Sequence, residues 1–140
     1  MRLVLDTSVL VAAVRSAKGA ARELLRMVLD GEIKPLISVP LVLEYEAVLT
    51  RPEHLDGAID AQANVEIVKA FCRLGEPVHV SRRLRPQLVD PDDEFVLEAA
   101  YHGKAELIVT LNTRDFLKAA RRFGIAVMRP GEVLERTRHK

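Results

Sequence analysis

The stretch Arg2-Leu-Val-Leu-Asp6-Thr7-Ser8-Val9-Leu10 decides the fold. Its first half is a leucine and valine run that ends in an acid. Thr7 and Ser8 are helix-entry residues and lead into the apolar segment Val9 to Val14, so the pattern predicts a strand followed at once by a helix. A strand apolar at nearly every position is covered on both faces, and strands of this kind alternating with helices indicate a parallel sheet. The alternation continues along the chain. Gly19 to Leu29 carries Ala21, Leu24, Leu25, Val28 and Leu29 at helical spacing and stops at Asp30-Gly31. Lys34 to Ser38 is a strand and leads through Pro40 into a helix from Leu41 to about Thr50.

Arg51 to Asp60, with Pro52 and Gly57, is a polar connection. Beyond it Val65, Val68, Phe71 and Cys72 mark the stripe of a helix over Ala61 to Leu74, and Val78 to Val80 form a short strand. Ser81 to Pro91 holds Arg82, Arg83 and Arg85 and is a surface segment. A helix from about Pro91 to His102, the apolar strand Leu107 to Leu111, a helix from about Thr113 to Phe123, the strand Ile125 to Met128 and a helix from Pro130 complete the chain. Arg136 to Lys140 is a frayed end. The fold class is α/β, with a central, mainly parallel sheet of 4–5 strands. No repeat, low-complexity tract or long linker divides residues 1–140, so the chain is expected to form one domain.

Composition narrows the chemistry. With 140 residues the chain has the length of one ordinary domain and can bury a core. Hydrophobic residues make up 49% and charged residues 29%, which excludes disordered and collagen-like classes. No apolar run near the N-terminus is long enough to span a bilayer, and Asp6 interrupts any signal-peptide core there, so a cytoplasmic location and no membrane partner are expected. The lone Cys72 and four histidines without ligand spacing exclude a cysteine-rich zinc site and argue against zinc chemistry. A net charge of +1 and 4% aromatic residues leave no global basic field or stacking platform, so any nucleic-acid contact must be local.

In open parallel sheets functional groups gather beyond the C-terminal strand ends. Asp6 ends a strand; it can serve as a helix cap, but Thr7 and Ser8 are equally able to cap. Asp93 shares a helix face with Val96, Leu97 and Ala100, whereas Asp90, Asp92 and Glu94 fit first-turn acids that complement the helix dipole. Glu94 and Glu98 point away from that stripe. An inward-facing carboxylate is costly unless paired or metal-bound, which favours function for Asp93. Glu44 and Glu46 flank the stripe Leu41, Val42, Tyr45, Val48 and Leu49, and spacing alone does not choose between them; Glu44 lies nearer the helix start. Asp115 follows Asn112 at capping-box distance. These acids, carried at strand ends or first helical turns, form an all-oxygen donor set, which selects Mg²⁺ or Mn²⁺ and points to phosphoryl transfer.

The ordered set Leu3-Val-Leu-Asp6-Thr-Ser-Val-Leu10, Leu43-Glu44-Tyr45-Glu46-Ala-Val-Leu49, Asp90-Pro-Asp-Asp93-Glu-Phe95 and Ile108-Val-Thr-Leu-Asn-Thr-Arg-Asp115-Phe116 resembles the PIN-domain family. It is most similar to members that act as toxins of toxin–antitoxin pairs, and the similarity runs from Met1 to about Met128. The resemblance implies an α/β/α sandwich and a metal-dependent, single-strand-specific ribonuclease. It also implies a homodimer and a cognate antitoxin. It further implies that Asp6, Glu44, Asp93 and Asp115 are the catalytic, metal-site acids, with Thr7, Ser8, Thr110 and Asn112 in support. Asn112 stands where many relatives have Asp, which bears on occupancy of a second metal. Arg114 adjoins this site and is a candidate for holding the RNA backbone. Two other functions compete: a non-catalytic nucleic-acid or partner-binding module that keeps the fold, which Asn112 favours, and a haloacid-dehalogenase-like phosphatase. The phosphatase family needs a second Asp two residues after the first, where this chain has Ser8.

Overall fold

The computed structural model describes residues 1–51, 61–81 and 93–138. Asp90, Asp92, Arg82, Arg83 and Arg85 lie outside them. In chain order the elements are β1 (Leu3–Leu5), α1 (Thr7–Arg15), α2 (Ala20–Leu29), β2 (Leu36–Ile37), α3 (Val39–Leu49), α4 (Ala61–Leu74) and β3 (Glu76–Pro77). They continue with α5 (Glu94–His102), β4 (Leu107–Val109), α6 (Thr113–Arg122), β5 (Ala126–Met128) and α7 (Pro130–Arg138). The fold is α/β and every strand pair is parallel, as the apolar strand pattern requires. Leu3, Val4, Leu5, Leu107, Ile108 and Val109 are all buried, which explains strands without polar alternation.

The strands divide differently from the single sheet of 4–5 strands expected. β1, β4 and β5 form a three-stranded sheet in the order β1-β4-β5, and β2 with β3 forms a separate two-stranded ladder. β2 lies beside β1 without joining its ladder. Its brevity has a local cause: Ser38, read as the end of the strand, already caps α3 by accepting the Leu41 N–H at 3.2 Å. The helix therefore starts at Val39, two residues before the expected Leu41.

The strand expected at Val78 to Val80 is instead β3, two residues earlier. Its register follows from Gly75. A side chain there would stand 2.8 Å from the Phe71 carbonyl oxygen and 3.0 Å from Ile37 and from the Pro35 carbonyl, so only glycine lets the chain turn this close to β2. Glu76 N–H then donates to the Pro35 carbonyl and Val78 N–H to the Ile37 carbonyl, while Pro77, which has no N–H, occupies an outer strand that tolerates it.

The helices cover the strands as layers. α5 packs against β1, β2, β4 and α3, α6 against β5, and α1 against α2 and α3. Glu94 and Glu98, which point away from the stripe of Asp93, are nonetheless each only 2% exposed, because Val96 to Ala100 are buried without a break; water reaches the helix in its last turn, where Tyr101 is exposed. In α4 the buried positions are Asn64, Val68, Ala70 and Phe71, and Cys72 is exposed. Asn64 goes inward because its amide nitrogen donates to the Leu49 carbonyl at the end of α3, 2.8 Å away. The C-terminal segment read as frayed is helical through Arg138: Pro130 opens α7, and the Glu132 carboxylate accepts the Arg129 N–H at 3.1 Å in a capping interaction.

Gly103 sits where α5 ends against this framework, and Arg2 anchors it by donating to its carbonyl oxygen at 2.7 and 3.1 Å. A Cβ at Gly103 would meet Val78 Cγ2 at 2.8 Å and the Ala99 carbonyl and Leu36 Cδ1 at 2.9 Å. Gly103→Ala is expected to destabilise the protein by about 1–3 kcal/mol. Gly131→Ala, entering open space within α7, should be neutral or stabilising by up to about 1 kcal/mol. Urea unfolding of the two variants beside wild type checks both.

Candidate active site

A cleft of about 340 Å³ opens at the C-terminal edge of β1 and β4. Asp6, Thr7, Ser8, Glu44, Arg51, Asp93 and Asn112 supply its polar lining, and Val11, Ala12, Val48 and Leu111 its apolar lining. Parallel pairing of β1 with β4, with Leu5 opposite Val109, brings Asp6 and Thr110 side by side just past the last ladder pair. The Asp6 N–H donates to the Val109 carbonyl at 2.9 Å, so Asp6 is fixed by its own backbone before its side chain is considered.

Asp6 is 2% exposed, and a carboxylate so buried needs donors. Two hydroxyls supply them. Ser8 Oγ donates to Asp6 Oδ2 at 2.6 Å and Thr110 Oγ1 to the same oxygen at 2.7 Å. A hydroxyl that has given its one proton can only accept further bonds. Ser8 Oγ accepts the Leu111 N–H at 3.1 Å, and Thr110 Oγ1 accepts the Asn112 N–H at 2.9 Å. Asp6 thus holds the turn between β4 and α6 through two intermediaries. Its other oxygen, Oδ1, receives a longer 3.4 Å contact from Thr7. Asp6 occupies the cap position of α1, yet its side chain makes no capping bond. Asn112 caps α6 in position without a side-chain bond either, so the capping box with Asp115 does not form.

The choice between Glu44 and Glu46 is made by Tyr45. Its hydroxyl donates to the Leu5 carbonyl at 2.5 Å, and its ring is fully buried, edge-on to Phe71 with centroids 5.8 Å apart. With Tyr45 pinned to the end of β1, α3 can present only one flank to the cleft. Glu44 and Val48 lie on it, at i and i+4, and Arg51, two residues past the end of α3, also lines the cleft, whereas Glu46 is exposed elsewhere. Arg51 was not singled out from sequence; its place directly after the helix that carries Glu44 is the signal that could have found it. Burial, and secondarily the negative charge of Asp6, raise the Tyr45 phenol well above its ordinary range.

Asp93 is half-buried at the cap position of α5 and lines the cleft without a side-chain capping bond. Asp6, Glu44 and Asp93 therefore come from three separate elements to one cleft. Asp115 does not join them; it is exposed on the first turn of α6, outside the lining. Arg114 is also exposed and outside the lining. Among the described residues no group of three or more acidic, histidine or cysteine side chains is gathered tightly enough to hold an ion directly.

A family model described as the PIN domain matches residues 2–114. The chain belongs to the PIN domain family, a family of nucleases. Among solved structures, a chain from the crystal structure of VapBC2 from Rickettsia felis, bound to a DNA fragment from their promoter, shares the fold with a TM-score of 0.62. Identity is 15%, and the match covers 92% of this chain and 98% of the other. No curated protein matches the chain.

Thr110→Val keeps shape but leaves the Asn112 N–H without its acceptor and takes one donor from Asp6. It should cost about 1–3 kcal/mol in chemical denaturation. Tyr45→Phe should also destabilise, by roughly 1–3 kcal/mol, because the buried Leu5 carbonyl loses its donor. Since folding raises the Tyr45 pKa, the unfolded chain ionises first. Wild-type stability should then fall above about pH 10, and the fall should be smaller in Tyr45→Phe. Equal alkaline slopes in the two proteins would remove Tyr45 as the cause.

Proposed function

We propose that the protein is a metal-dependent ribonuclease that hydrolyses phosphodiester bonds of single-stranded RNA as the toxin of a toxin–antitoxin pair. The observation that carries this reading is the arrival of Asp6, Glu44 and Asp93, from three elements of a PIN domain, in one cleft. The donor set is all oxygen, which suits Mg²⁺ or Mn²⁺. Mg²⁺ keeps several of its waters and takes only one or two protein carboxylates plus substrate phosphate oxygens, so it does not require all three acids as direct ligands.

Bound there, the divalent ion would polarise the scissile phosphate and lower the pKa of an attacking water. The chain's own groups have separable tasks. Asp6, held by Ser8 and Thr110, keeps Oδ1 for the ion, and Glu44 and Asp93 supply the remaining negative charge. Asn112, at the rim, orients water through an amide without adding charge. Arg51 contacts the phosphate backbone, a role expected of Arg114 from sequence. Asp115, on the outer turn of α6, contributes less than the three cleft acids. Ser8, where a haloacid-dehalogenase-like phosphatase would need a second Asp, is committed to Asp6 instead.

The partner follows by the same reasoning. The solved chain of like fold comes from a VapBC2 complex on promoter DNA, which supports a cognate antitoxin for this protein. We place the protein in the cytoplasm as a homodimer; no described helix is long and apolar enough to cross a membrane.

Purified protein should cleave single-stranded RNA in Mn²⁺ or Mg²⁺ and lose that activity in EDTA. Asp6→Asn, Glu44→Gln and Asp93→Asn should each reduce cleavage at least about 100-fold, or roughly 3 kcal/mol in transition-state stabilisation. Glu46→Gln should retain most activity, and Asp115→Asn should lose less than Asp6→Asn. Wild type inert toward RNA in Mn²⁺, yet binding it, would favour the non-catalytic module. Removing one like charge should also leave metal-free Asp93→Asn as stable as wild type or more so, while shrinking the Mg²⁺-induced rise in melting temperature.

A further inference from the structure

A second hollow, of about 530 Å³, adjoins the acidic cleft and shares Ala12 and Leu111 with it. Its floor is apolar and small, with Ala20, Ala21 and Pro130 beside the two shared residues. Lys18 and Arg129 both line it from different elements, one just before α2 and the other just before α7, and both are exposed. Among the described residues neither has a carboxylate partner within ion-pair distance. The hollow also contains Glu132, whose Oε1 is engaged by the Arg129 N–H at 3.1 Å.

We propose that this hollow is a nucleotide subsite: it holds the base and phosphate of the residue next to the scissile bond, with the base on the apolar floor and the phosphate between Lys18 and Arg129. The inference rests on the ribonuclease reading of the cleft and extends it. Three features select a polynucleotide. The hollow borders the cleft at Ala12 and Leu111, so a strand whose phosphate lies among the acids has it within one nucleotide's reach. The two sites are complementary in charge, acids where a cation is wanted and cations where a phosphate would follow. The floor residues are mostly small, Ala12, Ala20, Ala21 and Pro130, so a planar ring can lie there without displacing a large side chain. Gly131 contributes to this openness, since a Cβ there meets nothing within 4 Å.

Fluorescence anisotropy of a labelled single-stranded oligoribonucleotide, in EDTA to prevent cleavage, tests the subsite. Lys18→Ala with Arg129→Ala should weaken binding on the order of tenfold and reduce the slope of log affinity against log salt by about 0.7, as expected for one phosphate no longer neutralised. Lys18→Arg with Arg129→Lys should bind as wild type does. Gly131→Leu, which fills the hollow without altering charge, should weaken binding without changing the salt slope, with a thermal melt confirming that it folds. Wild-type affinity in both the double alanine variant and Gly131→Leu would overturn the subsite and leave the hollow to a protein partner. Mn²⁺-dependent cleavage by wild type is read separately. Cleavage with unchanged binding in the variants sinks the subsite alone, and weakened binding without any wild-type cleavage supports the subsite while sinking the ribonuclease reading.

Discussion

One buried charge organises this protein. Asp6 sits where β1 runs out, nearly removed from water, and its ionised form is tolerable only because Ser8 and Thr110 both donate to the same oxygen. Having donated, the two hydroxyls must accept, and the only nearby N–H groups they take are those of Leu111 and Asn112. A single carboxylate thereby dictates the course of the turn after β4, the entry of α6 and the position of Asn112 at the rim. Other groups at the strand edge are placed relative to this arrangement. The functional edge is therefore rigid where the sheet ends, before any cation or substrate is considered.

The second placement is mechanical. Where α3 meets the sheet, the Tyr45 hydroxyl grips the carbonyl of the residue preceding Asp6. The strand that carries one acid thus sets the rotation of the helix that carries another. The third acid, Asp93, arrives with α5, a helix wrapped by strands and by α3. The cleft is an intersection of three elements whose mutual positions are fixed by core packing, with Leu5, Tyr45 and Leu97 all fully shielded. Each such large apolar side chain contributes about 1.5–3 kcal/mol when buried. That core holds together acids that repel one another.

Much of this was legible in the sequence, for reasons that can be named. Asp6 and Asp93 stand at the end of an apolar strand and the head of an apolar helix, where local periodicity already says which way a side chain faces. Glu44 was not separable from Glu46, because both flank the same stripe and the deciding contact, Tyr45 to Leu5, spans 40 positions. Glu94 and Glu98 leave the stripe of Asp93 without reaching water, because strands and α3 pack around α5 and only its last turn, at Tyr101, is exposed. The box expected between Asn112 and Asp115 lost to a competitor outside the local window, since Thr110 takes the Asn112 N–H. The short ladder β2 to β3 was shifted in reading because Gly75, a residue that looks like a helix stop, also sets how closely two chains approach. The PIN-domain resemblance was legible because it rests on the order of four motifs rather than on any one of them.

The two anchors also differ in how easily they let go. Asp6 is held by backbone and side-chain bonds to two strands' worth of structure, whereas Glu44 rides on a helix joined to the end of β1 by the Tyr45 phenol. A partial opening that frees α3 withdraws Glu44 and leaves Asp6 in place. Loss of the assembled cleft and loss of the folded sheet are then separate events with separate free energies, the first smaller than the second. A binding partner that pried α3 from β1 would take Glu44 out of the cleft without unfolding the domain, and its release would let the Tyr45 hydroxyl return to the Leu5 carbonyl.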